Sequence, residues 1–326
     1  SLVPHAPISF LLQPSRPSLT PAVLRWRAKL FACSSLTTDV YGTDACLHVS
    51  LSGVRRVRRV TLLPAPRDAT RVVIVSDTHE QLDCVELPPG DVLCHTGDIT
   101  FCARGGRDTL IAFNDHLKTL PFKHKVVIAG NHDRHLEMMG RAEARALLSQ
   151  ANYLENSGIE LCGLHFWGSP FSPRHRGKRS HNRAFQYTES RTKLIMRYMP
   201  NDVDVLLTHG SSGSSYLRDA VDRVRPMLHA YGHDHDQHGA SVEWEPLPFE
   251  GRARKEADVV ARRTGRGRAQ PLTVRVNAAI CDKRYRPVQL PVVVDLIPSR
   301  KAGQLQAHEP RSHVSSRGRR RRSLRR

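Results

Sequence analysis

The chain has 326 residues, 39% hydrophobic and only 6% aromatic, with 50 Lys and Arg against 31 Asp and Glu. No run approaches the ~18 consecutive apolar residues of a membrane-spanning helix, which excludes an integral membrane protein. The net charge of +19 is unevenly placed: residues 1–71 contribute +7, residues 252–268 contribute +5 and residues 300–326 contribute +9, so the basicity belongs to appendages on a near-neutral body.

Residues 1–38 carry Arg16, Arg25, Arg27 and Lys29 but no acid. The segment 1–70 therefore reads as a disordered or targeting-like leader, compatible with an organellar transit peptide. Seven cysteines occur without CxxC pairing, and the odd count argues against a disulfide framework and for a reducing compartment.

From Arg71 the character changes. RVVIVSD is a short β-branched run ending in acid, as expected of a buried strand in an α/β sheet. DVLCHTGD (91–98), KHKVVIAGNHD (123–133), DVDVLLTHG (202–210) and MLHAYGHDH (227–235) repeat the pattern. Helical periodicity over 107–119, 134–150, 188–198 and 214–224 alternates with them. GIELCGLHFWG (158–168), TVRVNAAIC (273–281) and PVVVDLI (291–297) read as later strands of a second sheet. Residues 245–271, rich in Pro, Gly and Arg, read as a basic loop insertion. The tail 299–326 ends in a like-charge Arg block and reads as disordered, open to sequence-blind contact with polyanions.

The apolar runs end in small polar clusters: Asp77-Thr78-His79, Gly97-Asp98, Gly130-Asn131-His132-Asp133, Thr208-His209-Gly210 and Gly232-His233-Asp234-His235. Ligands of α/β sheets bind beyond the carboxyl ends of the strands, so these clusters can share one crevice. Their donors are O and N without thiolate, which suits Mn²⁺, Fe²⁺, Zn²⁺ or Mg²⁺. Alone, each has a plainer use: Asp as a helix N-cap, Asn131 in a turn, a histidine as a satisfied core residue. His95, His165, His229 and His238 read as structural or solvated, and Cys94 and Cys281 as small core residues.

The ordered set DxH, GD, GNHD, H and GHxH resembles the calcineurin-like metallophosphoesterase superfamily over residues 71–298. The stretches PPGDVLCHTGDIT, WGSPFSP and VNAAICDKRYRPVQLPVVVDL are similar to its small metallophosphoesterase-domain-containing members, classed with class III cyclic-nucleotide phosphodiesterases. The resemblance implies a four-layer α/β/β/α sandwich with two mixed sheets, and two divalent metal ions. It makes Asp77, His79 and His235 ligands of the first ion, Asn131, His209 and His233 ligands of the second, and Asp98 the bridge. His132 would contact the phosphate and act as the acid. The implied reaction is in-line attack by a metal-bridging hydroxide on a small phosphoester, a cyclic nucleotide among the candidates. Two departures stand out: Gly210-Ser211-Ser212 replaces a Pro-rich turn, and the 245–271 insertion follows the GHxH motif.

Two other functions use the same residues differently. A phosphomonoesterase or protein phosphatase would share every ligand and differ in pocket shape. A weakly catalytic basic nucleic-acid-binding or scaffold protein would have no need of all seven.

Overall fold

A computed structural model describes residues 46–50, 53–57, 68–101, 106–172, 182–211, 214–244 and 271–298. The expected tail, most of the leader and all but the last residue of the basic insertion lie outside those limits. Thirteen strands and four α-helices occur among the described residues.

The first sheet contains β1 (Cys46–Ser50), β2 (Gly53–Val57), β3 (Thr70–Val75), β4 (Val92–Thr96), β5 (His124–Ile128), β6 (Asn152–Tyr153) and β13 (Val292–Leu296). Its order is β2-β1-β13-β3-β4-β5-β6, with β3 to β6 parallel and β13 antiparallel to β3. The second sheet contains β7 (Ser157–Leu161), β8 (Leu164–Ser169), β9 (Val205–Thr208), β10 (Leu228–Tyr231), β11 (Gly239–Trp244) and β12 (Pro271–Asn277). It is ordered β11-β12-β10-β9-β8-β7, with parallel strands β8, β9, β10 and β12 flanked by antiparallel β7 and β11. Both sheets are mixed.

Period-two alternation explains the layering, because successive side chains of a strand point to opposite faces. Val72, Ile74, Val92, Cys94, Val126 and Ile128 from the first sheet share one buried cluster with Phe166, Val205, Leu207, Leu228 and Ala230 from the second. Val73, Val75, Leu93 and Val127 point the other way, into a cluster that includes Leu110, Phe113 and Leu117 of α1 (Arg107–Thr119) and Leu136 of α2 (Arg134–Leu147). Leu206 and Trp167 belong to the same outer set, as do Met196 of α3 (Glu189–Tyr198) and Leu217 and Val221 of α4 (Ser215–Val224). The result is a four-layer α/β/β/α sandwich.

Several details differ from the sequence expectations. PVVVDLI supplies β13 to the first sheet rather than the second, since an apolar run signals burial but not its pairing partner. GIELCGLHFWG forms a hairpin, turning at Cys162 and Gly163, both of positive φ. The strand β11 was not anticipated. Gly140, at φ 76° and ψ 165°, breaks α2, which ends at Leu147. The N-terminal limit of the folded unit also moves back from residue 71, because β1 and β2 extend the first sheet beside β13. Of the described cysteines, Cys46, Cys94, Cys162 and Cys281 are free, but Cys84 is disulfide-bonded, so the odd count did not exclude a disulfide. Among the described residues no helix is long and apolar enough to cross a membrane.

A buried ion pair fastens β13 to its neighbours. Arg71 and Asp295 are register partners across β3 and β13, and the guanidinium donates twice to the carboxylate, at 2.8 and 3.0 Å. From β1, His48 Nε2 lies 3.1 Å from Asp295 Oδ2. Burial pushes the Asp295 carboxyl up, but Arg71 and His48 overcome it and hold it below the ordinary carboxylate value. Removing the carboxylate breaks a buried ion pair and takes the bidentate partner from the guanidinium, so Asp295→Ala is expected to cost about 3 kcal/mol in urea unfolding. A folded-state pKa below the unfolded one gives stability that is present above the unfolded value and lost as pH falls through the folded value. The difference between wild type and variant should therefore shrink on acidification, and a difference constant down to strongly acidic pH would contradict this account.

Candidate metal centre

All seven expected ligands lie beyond the carboxyl ends of β3, β4, β5, β9 and β10, the parallel strands at the middle of the two sheets. The turns that carry them are tightly wound. Asp77, His79, Asp98 and His233 have φ of 53°, 44°, 53° and 71°, a left-handed region that costs most non-glycine residues free energy and is least unfavourable for Asp, Asn and His. Gly130 and Gly232 permit close approach: a methyl group at Gly130 would overlap Asp98 Oδ1, and one at Gly232 would overlap Asp77 Oδ2 and the Ser76 side chain.

Backbone bonds interlock the loops. Asp77 and His79 donate their N–H groups to the carbonyls of Gly97 and Asp98, at 2.9 and 3.1 Å. The two sheets are joined here as well. The His233 N–H donates to the Asp77 carboxylate, and His209 Nδ1–H donates to the Thr96 carbonyl at 2.9 Å.

The histidines share one arrangement. His79 Nδ1–H donates to Thr100 O, His235 Nδ1–H to Asp282 O and His132 Nδ1–H to Phe101 O, as His209 does to Thr96. Each carbonyl fixes the tautomer and turns the Nε2 acceptor inward. There, His79 Nε2 lies 3.3 Å from His235 Nε2, which lies 3.2 Å from Asp77 Oδ1. His209 Nε2 lies 3.2 Å from Asp98 Oδ1 and 3.1 Å from Asn131 Oδ1. His233 instead presents Nδ1, 2.8 Å from Asn131 Oδ1. Asn131 Nδ2 donates to the Asn182 carbonyl, so its amide oxygen is the atom turned toward the cluster.

Acceptor atoms facing one another at such distances repel unless a proton or a cation lies between them. Three groups have the spacing for an ion: Asp77, His79 and His235; Asp98, His209 and His233; and His79, Asp98 and His132. Asp98 is common to two of them. Without an ion, protons take up part of the charge. Burial alone would lower His209, but Asp98 beside it raises the imidazolium to about 10. Burial pushes the Asp98 carboxyl up, yet His209 and His132 hold it well below the usual carboxylate range. The donor set of carboxylate, imidazole and amide oxygen fits the borderline and hard divalent ions expected from the sequence.

Three further residues complete the site. Asp133 is fully buried and accepts from the N–H groups of Gly130, Ile99 and Thr100 and from the Thr100 hydroxyl, tying the β4 loop to the β5 loop. Burial and the neighbouring Asp98 push its carboxyl up to about 6. Asn182 Nδ2 lies 3.2 Å from His132 Nε2. The Tyr285 ring meets the edge of His79 at 4.8 Å and of Phe101 at 4.9 Å. Asn182 and Tyr285 line a cavity of about 390 Å³ together with Asp98, Asn131, His132, His233 and His235.

This cluster of candidate ligands, at the strand ends of a two-sheet sandwich, is the arrangement expected of a metallophosphoesterase. A family model for calcineurin-like phosphoesterases matches residues 70–237. A UPF0046 protein of Caenorhabditis elegans is 35% identical over 202 residues, covering 53% of this chain and 67% of the relative. Metallophosphoesterase domain-containing protein 1 of Homo sapiens is 30% identical over 270 residues, covering 72% of this chain and 73% of the relative. A second C. elegans UPF0046 protein is 29% identical over 270 residues and is covered to 83%. The chain belongs to the calcineurin-like phosphoesterase family, whose members are metal-dependent phosphoester hydrolases.

Asp133 tests the bracing of these loops. In Asp133→Asn an amide NH₂ replaces one accepting oxygen and must face N–H donors in a buried site, where each unsatisfied group costs about 1–3 kcal/mol. Thermal unfolding should show a loss in that range, and Mn²⁺ titration a weakened affinity. Wild-type values of both would refute the bracing role.

Proposed function

We propose that the chain is a dinuclear metal-dependent phosphodiesterase acting on small phosphoesters, cyclic nucleotides among them. The observation that carries this reading is the position of Asp98, which groups with His209 and His233 on one side and with His79, a member of the Asp77, His79 and His235 group, on the other, as a carboxylate shared by two ions would. Asp77, His79 and His235 would hold one ion, and Asn131, His209 and His233 the other. A pair of ions supplies Lewis acidity toward the phosphoryl oxygens and an activated water at neutral pH. A cavity of about 390 Å³ is in the range of small-molecule pockets, which favours a compact ester over a phosphoprotein.

The chain's own contribution to the reaction rests on His132. Its ring is anchored through Nδ1–H at the Phe101 carbonyl, 2.6 Å away. Nε2 lies on the cavity side, 3.7 Å from Asp98 Oδ2 and 3.2 Å from Asn182 Nδ2. From there a protonated Nε2 contacts the phosphate and delivers its proton to the departing ester oxygen. Before the transfer the Asn182 amide would turn its oxygen to accept from Nε2–H, and once the proton has left Nε2 can accept from Asn182 Nδ2, the contact present in the structure.

Metal analysis of Asp98→Ala tests the bridge, which should be lost together with nearly all turnover. Full metal content and activity in that variant would reject it. Faster turnover of p-nitrophenyl phosphate than of bis(p-nitrophenyl) phosphate would point to a monoesterase instead. His132→Ala should keep its metal while kcat falls by about 10²–10⁴ for alkyl esters, the usual scale of general acid catalysis. The loss should be smaller for nitrophenyl esters, which leave without a proton. Equal losses on both ester types would instead indicate that His132 positions the phosphate.

A further inference from the structure

Two buried histidines outside the ligand set make the same contact, one in each sheet. In the first, Thr78 lies between Asp77 and His79 in the loop after β3, and its hydroxyl is 2.8 Å from Nε2 of His95 on the adjacent parallel strand β4. In the second, Thr208 directly precedes His209 at the end of β9, and its hydroxyl is 2.9 Å from Nε2 of His229 on the adjacent parallel strand β10. Both histidines are fully buried.

The direction of each bond is fixed by its surroundings. His95 Nδ1 accepts from the Gly97 N–H at 3.3 Å, so the ring proton is on Nε2 and is donated to Thr78. Thr208 donates its own hydroxyl proton to the Gly210 carbonyl at 2.8 Å, so it accepts from His229 Nε2–H. Burial pushes both imidazoles down to about 3, which keeps them neutral near neutral pH.

The two contacts act on different parts of the centre. His229 holds the Thr208 to Gly210 turn, which carries His209. His95 holds two turns at once: through Nε2 the one with Asp77 and His79, and through Nδ1 the one with Asp98. Each Thr-His pair is therefore clamped through its threonine, while the histidine that follows is fastened through Nδ1 to a carbonyl at the end of β4 or in the loop after it, Thr100 for His79 and Thr96 for His209.

We infer that His95 and His229 are positioning residues of the metal centre, aligning His79 and His209 for metal binding by clamping the threonine before each. The inference rests on the dinuclear reading. Groups that orient metal ligands typically account for about 10–100-fold in affinity.

Calorimetric titration of the metal-free protein with Mn²⁺ tests it. His229→Phe should weaken one of two binding events by about 10–100-fold and leave the other near wild type. His95→Phe, which releases the turns of both His79 and the bridging Asp98, should weaken both. Thr208→Val, which keeps the side-chain shape, should reproduce the loss of His229→Phe, and the double variant should lose little more than either single one. Should a histidine variant fail to fold, Thr78→Val and Thr208→Val report on the same bonds.

Unchanged Mn²⁺ affinities in the folded variants would overturn the inference. So would multiplication of the losses in the double variant, or equal weakening of both events by His229→Phe. A wild-type protein that bound one ion would instead overturn the dinuclear reading, and the His95 and Thr78 variants would still report on the remaining site.

Discussion

The inward-facing imidazole nitrogens are the constraint around which the structure is organised. Four histidines commit Nδ1–H to backbone carbonyls and are left with Nε2 directed at one another or at carboxylate and amide oxygens. Such an arrangement is unfavourable without positive charge at its centre, and it is held in place by interactions that do not depend on that charge. The carbonyls fix the four rings, left-handed turns aim Asp77, His79, Asp98 and His233, and Gly130 and Gly232 give the carboxylates room. The four-layer body is the rigid frame that lets these costs persist.

The frame has its own requirement, since two sheets packed through aliphatic side chains could slide across one another. Polar contacts at the carboxyl ends of the strands oppose this. The His233 N–H reaches from the second sheet to Asp77 on the first, and His209 reaches to Thr96. The same residues thus serve the sandwich and the site, and ion binding and sheet alignment are thermodynamically linked: a ligand that binds only the aligned state stabilises that state.

The sequence shows the five central strands and all seven candidate ligands because both signals are local. An apolar β-branched run announces a buried strand, and the polar cluster at its end announces a site. Pairing is not local. PVVVDLI carries no mark that it inserts between β1 and β3, and the role of CLHVS becomes visible only when its partner β13 is known. Asn182 and Tyr285 were missed for a related reason. Asn182 acts across 50 residues on His132, and nothing near it in the chain distinguishes it from a loop asparagine. His95 and His229 read as ordinary core histidines because their threonine partners come from a neighbouring strand or the loop that follows it.

The position of β13 also bears on how the molecule is made. It is the last strand of the described chain, yet it occupies the seam between β1 and β3, two of the first three. During vectorial synthesis the N-terminal hairpin has no neighbour to pair with until more than two hundred further residues have emerged. Until then β3 presents an open edge with unpaired N–H and C=O groups, the kind of surface that invites pairing with another chain. Pairings so distant in sequence place the fold among slow-forming topologies. The nascent protein is therefore most exposed to aggregation just before the strand that closes the first sheet arrives.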